Sequence, residues 1–150
     1  MKALSNINKF VQLPFREKVW MGEALFHLIW YSVLIHMLPF RWWEGRIGQK
    51  MQPLNEEGLM LEQQDKIRKI RGSVLRSNKV IGGLGKCFAL SLTIRHMLQK
   101  QEIDSTLHIG LRKEASSQLL AHAWISYGKL IIYGGKTAPL NFTQILIYNK

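Results

Sequence analysis

Between Val19 and Phe40 the chain is almost continuously apolar, over a length close to the ~20 residues that a membrane-crossing helix requires. Glu23, His27 and His36 interrupt the run, and a charge costs roughly 2.5 to 3.5 kcal/mol near the bilayer centre, less toward its edges. The segment is therefore expected to be a buried helix or one resting in a membrane interface, not a span. Pro14 stands where a helix can begin and Pro39 where it must stop, which predicts a helix over residues 12–40. Arg41-Trp42-Trp43 follows at once. Such tryptophans act as packing anchors, the reading favoured here, or as an interfacial belt. Residues 44–54, with Gly45, Gly48 and Pro53, read as a connector.

A second helical pattern covers residues 55–77, with Leu59, Leu61, Ile67, Ile70, Val74 and Leu75 as its apolar stripe. Its other face gathers Lys66, Arg68, Lys69, Arg71 and Arg76. Such a face is either simply solvated or a site for nucleic acid, an acidic peptide or anionic lipid. No aromatic residue that would stack on bases lies in this segment.

The pattern then changes. Residues 81–86 form a glycine-rich turn into a helix over residues 87–101, with Leu90, Ile94, Met97 and Leu98 on one face. Alternation follows, with Leu107, Ile109 and Leu111 opposed to His108 and Gly110. Further short strands are expected at residues 122–127 and 130–133 around a Gly128-Lys129 turn. Helices first, then one helix with an antiparallel sheet, is an α+β order. At 150 residues and 47% apolar the chain can bury one sizeable core. Its net charge of +11 leaves an anionic partner open.

Cys87 is the chain's single cysteine, which rules out an internal disulfide and, with no Cys/His pairs, a standard structural zinc site. A reducing, cytosolic setting fits, and no secretory signal opens the chain. Gly85-Lys86-Cys87 is not a phosphate loop, since Val80 and Cys87 occupy the positions of an obligatory glycine and hydroxyl residue. A cysteine opening a helix can be a small buried hydrophobe. It also meets unsatisfied amide N–H groups that favour a thiolate, with Lys86 adding positive charge. A nucleophilic cysteine needs an imidazole to take its proton and return it to the leaving amine. His122, at the start of an extended segment, suits that role better than His96, His108, His27 or His36, and Trp124 two positions on should share its face.

Cys87 with Ala89-Leu90, Gln101-Glu102-Ile103-Asp104, the run Leu107-His108-Ile109-Gly110-Leu111-Arg112 and Ala121-His122-Ala123-Trp124-Ile125 together resemble the leader peptidase of lasso-peptide biosynthesis. This is the transglutaminase-like cysteine protease B protein, in the stand-alone form that lacks a leader-binding domain. The similarity is densest over residues 86–128, while Leu13-Pro14-Phe15-Arg16 and Leu38-Pro39-Phe40-Arg41 resemble the helical lead-in of stand-alone members. The resemblance implies a helical lead-in over residues 1–80 packed on a papain/transglutaminase-like core over residues 81–150. That core would be one Cys-bearing helix on a small antiparallel sheet. It further implies hydrolysis of a ribosomally made precursor peptide, with Cys87 as nucleophile and His122 as general base and acid. No cofactor is expected in this chain. The implied partners are the precursor, a separate leader-binding protein and an ATP-dependent macrolactam cyclase; no nucleic acid is expected. A cytoplasmic location is implied, and membrane contact through residues 19–43 is compatible with it.

The family's third catalytic residue is an Asp about a dozen positions after the histidine, where this chain has Ile132-Tyr133-Gly134-Gly135. No acidic residue follows Glu114. Asn141 or Glu114 is left as a substitute for orienting the imidazole. The backbone N–H of Cys87 is the expected oxyanion donor, and Asn78 reads as a turn residue. Two alternatives stand beside the peptidase: a catalytically degenerate homologue that binds the precursor or cyclase, and a basic nucleic-acid-binding module.

Overall fold

The computed structural model describes residues 12–47, 49–50, 61–114 and 118–149. Helix α1 runs Phe15–Met37 with Pro14 at its N-cap, a position that needs no donated N–H. It stops because Leu38, preceding Pro39, is extended at φ −121° and ψ 136°, the conformation that a following proline imposes. Trp20, Ala24, Leu28 and Ser32 recur at four-residue spacing as the buried stripe. The opposite face carries Val19, Phe26, Trp30, Val33 and Met37 at the surface. Among the described residues no helix is long and apolar enough to cross a membrane.

Two 3₁₀ turns, Phe40–Trp42 and Glu44–Arg46, lead to a short strand β1, Gln49–Lys50. They divide the tryptophan pair: Trp43 is buried as a packing anchor, while Trp42 is exposed. The connector expected at residues 44–54 thus holds a strand, and its last four positions lie outside the described residues.

Helix α2 spans Leu61–Val80 and buries Ile67, Ile70, Ser73, Val74 and Ser77. Leu61 was expected in this stripe but is 83% exposed. It stands nine positions before Ile70, the middle of that stripe, which at ~100° per residue puts it about half a turn away, on the opposite face. Leu59 lies outside the described residues.

Helix α3, Cys87–Gln99, is the centre of the molecule and is buried almost all round, with Leu90, Ile94, Met97 and Leu98 joined by Ala89, Leu92 and Arg95. The Arg95 guanidinium donates to the Ile47 carbonyl, tying α3 to the segment before β1. Burial pushes the Arg95 guanidinium below its usual range.

The sheet contains β1, β2 (Thr106–Lys113), β3 (Leu119–Tyr127), β4 (Leu130–Tyr133) and β5 (Thr143–Asn149), with a short helix α4 (Ala138–Asn141) before the last strand. The strand order is β1-β5-β2-β3-β4, every pair antiparallel. Strands β1 and β5 were not anticipated from the sequence. Leu107, Ala123 and Ile125 join Leu28, Ile70, Val74, Ile94 and Leu98 in one apolar core that unites the three long helices and the sheet. The chain is therefore α+β, with a helical N-terminal region followed by a helix packed on a small antiparallel sheet.

Candidate active site

The loop before Cys87 is built by its glycines and by Asn78. Gly82 and Gly83 adopt φ of 68° and 76°, a region open to glycine without penalty. The Asn78 side chain clamps Gly85 from both sides: its Oδ1 accepts from the Gly85 N–H at 2.8 Å and its Nδ2 donates to the Gly85 carbonyl at 3.2 Å. A Cβ at Gly85 would stand 2.9 Å from both Asn78 Oδ1 and Leu28. Asn78, read as a turn residue, is thus the last-turn residue of α2 that fixes the approach to the thiol. Cys87 is half-buried as the first residue of α3. Lys86 precedes it in extended backbone with its side chain in solvent.

His122 pairs with Gly110 across β2 and β3. That glycine makes room for an aromatic stack, since a Cβ there would meet Phe142 and Trp124 at 2.9 Å. The imidazole lies 4.9 Å from the Phe142 ring and 6.3 Å from Trp124, which in turn stacks on His108 at 5.3 Å. Trp124 shares the histidine's face, as alternation predicts. Nε2 of His122 donates to the Gly134 carbonyl at 2.7 Å. A carbonyl can only accept, so Nε2 carries the hydrogen and Nδ1 is left as the basic nitrogen. Gly134 is held at φ 103°, so close to Trp124 that a Cβ would come within 2.2 Å of its Cβ.

Cys87 and His122 border one cavity of about 340 Å³, walled otherwise by apolar side chains such as Leu38, Phe40, Trp43, Phe88, Leu111 and Ile145. No hydrogen bond joins the two residues. Ala123 and Ile125 enter the core around α3, and His122 alternates with them, so its ring belongs to the opposite, aromatic face of β3. The other candidates stand apart. Asn141 is exposed at the end of α4 and is not the partner of Nε2. Glu114 pairs with Arg112 at 3.3 Å.

Sequence reasoning missed Tyr133 and the Gly134 carbonyl. Burial pushes the Tyr133 hydroxyl above its usual range; the charge of Cys87 pushes the same way and Arg71 opposes it, so the phenol lies within electrostatic reach of both. A backbone carbonyl leaves no residue type to read, whereas Tyr133 was visible at the end of the predicted third strand.

A different cluster, Glu23 and His27 on α1 with His96 on α3, brings potential ligand atoms within 4.8 Å of one another. The Lys100 ammonium sits 2.6 Å from the Glu23 carboxylate and already neutralises it. Burial holds both histidines below their usual range, and for His27 the neighbouring His96 adds to that effect.

Residues 33–147 match the family described as the transglutaminase-like superfamily. The chain belongs to that superfamily. The matched span runs from the second half of α1 through α3 and nearly all of β5, so it includes both Cys87 and His122. No curated protein and no solved structure matches the chain.

Proposed function

We propose that this transglutaminase-like protein is a cysteine peptidase that removes the leader from a ribosomally made lasso-peptide precursor. The observation that carries the reading is that Cys87, at the start of a buried helix, and His122 both border one apolar cavity. Superfamily membership supports it. In the reaction His122 Nδ1 takes the thiol proton and Sγ attacks the scissile carbonyl. The Cys87 N–H donates to the oxyanion that forms. His122 returns the proton to the leaving amine, and water then hydrolyses the thioester with the imidazole as base. Because the imidazole stacks on Phe142 and Trp124 on the face of β3 opposite α3, the transfer requires substrate binding to turn the ring toward Cys87 before Sγ and Nδ1 come within hydrogen-bond reach. Gly134 supplies a neutral acceptor to Nε2 where a carboxylate would stabilise the imidazolium more strongly. A separate leader-binding protein and an ATP-dependent cyclase complete the proposed pathway.

A second reading is favoured by the absence of a Cys87–His122 hydrogen bond and of a carboxylate on the imidazole: a degenerate homologue that binds the precursor or the cyclase. Reconstitution with a lasso precursor, a leader-binding protein and a cyclase separates the two by mass spectrometry of the product. Loss of leader removal in Cys87→Ala is the result expected of a peptidase; unchanged maturation is the result expected of a binding subunit.

A further inference from the structure

The basic face of α2 is mostly self-neutralised. Lys66 pairs with Glu62 at 2.8 Å, Arg68 and Lys69 with Asp65 at 2.6 and 2.7 Å, and Arg76 with Glu17 at 2.9 Å. Arg71 has no carboxylate partner among the described residues. It faces a cavity of about 350 Å³ that it lines with His122, Ile131, Tyr133, Gly134 and Lys136. Among the described residues no acidic side chain lines this cavity; the adjoining groove that Arg71 also borders holds Asp65, which is paired with Arg68 and Lys69. His122 is the one residue shared by this cavity and the apolar one that contains Cys87. Two cavities of opposite character, one apolar and one cationic, thus meet at the imidazole.

Two cations converging on a concave, acid-free surface focus the field and raise the local concentration of anions. A guanidinium offers a planar fork matched to a carboxylate, and the volume suits a side chain. We propose that the cavity of Arg71 and Lys136 is a subsite for an acidic side chain of the peptide substrate, lying a short distance along the chain from the scissile bond. The proposal rests on the peptidase reading and adds a substrate class to it: a precursor with Asp or Glu near its cleavage site.

The test uses the full chain and three cysteine-directed probes, bromoacetyl-Gly-Glu-amide, its Gln counterpart and its Lys counterpart, with the rate of Cys87 alkylation read by mass spectrometry. The Glu probe should react about fivefold faster than the Gln probe at low salt, the scale of a single partly exposed ion pair, with the ratio shrinking as salt rises. Arg71→Gln and Lys136→Gln should each lower the ratio and together bring it to about 1, whereas Lys79→Gln, which removes a charge outside the cavity, should keep it. Arg71→Glu should turn the preference toward the Lys probe. Equal Glu and Gln rates in the unmodified protein, or a preference that survives the double substitution, overturns the proposal. Iodoacetamide labelling of His122→Ala addresses the peptidase reading separately. An intact Glu preference with labelling indifferent to His122 supports an acid-binding cavity and removes the peptidase.

Discussion

His108 shows how a buried histidine is made part of the sheet. Its Nδ1 donates to Gln144 Oε1 at 2.6 Å and its Nε2 accepts from the Ser126 hydroxyl at 2.8 Å, while its ring lies flat on Trp124. Burial lowers its pKa below the ordinary histidine value, and the Gln144 bond only partly opposes this. A folded pKa below the unfolded one means that the unfolded chain binds the proton more readily. The associated stability is therefore present above about pH 6.5 and is lost as the pH falls through the lower folded value. Thermal midpoints measured from pH 7.5 to 5 should fall, and His108→Gln should flatten the decline; an identical slope in both proteins would contradict this. Gly134 makes the sharper residue-scale demand. Gly134→Ala meets both a positive φ and the Trp124 Cβ, and should lower stability by about 2 to 4 kcal/mol in urea unfolding. A change within ~0.5 kcal/mol, the range of ordinary surface substitutions, would refute the close approach.

Among the elements, the join between α2 and α3 governs the candidate nucleophile. Asn78 satisfies the buried N–H of Gly85, so Asn78→Ala leaves a buried donor unpaired at a cost of about 1 to 3 kcal/mol. It should also alter the rate of Cys87 alkylation, which an isolated stability effect far from the thiol would not do; comparison of both quantities with the unmodified protein checks the claim. Helix α1 was legible because Pro14 and Pro39 punctuate it, and β2 to β4 were legible through alternation and the Gly128-Lys129 turn. Strand β5 was not. It pairs with β2 across more than thirty residues of chain, and nothing local to Thr143–Asn149 announces that partner. The pairs of Lys66, Arg68 and Lys69 are local to α2 at three- and four-residue spacing, and Arg71 has no acid at such spacing; what escaped reading was the cavity that Arg71 shares with β4 and Lys136, which only the tertiary fold brings together.

For the molecule as a whole, a single core runs through the three long helices and the sheet, and its effect is to seat a buried helix with a cysteine at its head beside strand β3. The residue types of the candidate site were readable because the chain has a single cysteine, at the start of a helix, and because His122 is set apart from the other four histidines by its extended Ala-His-Ala-Trp-Ile segment. Their mutual arrangement was not, because the face on which His122 lies is set by strand register and by Gly110, Phe142 and Gly134 together. The central claim is that thiol and imidazole act as a pair, and its most direct measurement is the rate of Cys87 alkylation by iodoacetamide at neutral pH in the unmodified protein and in His122→Ala, with matched thermal melts to confirm folding. A coupled pair predicts labelling at least about tenfold slower without the imidazole. Equal rates in two equally folded proteins would contradict the account.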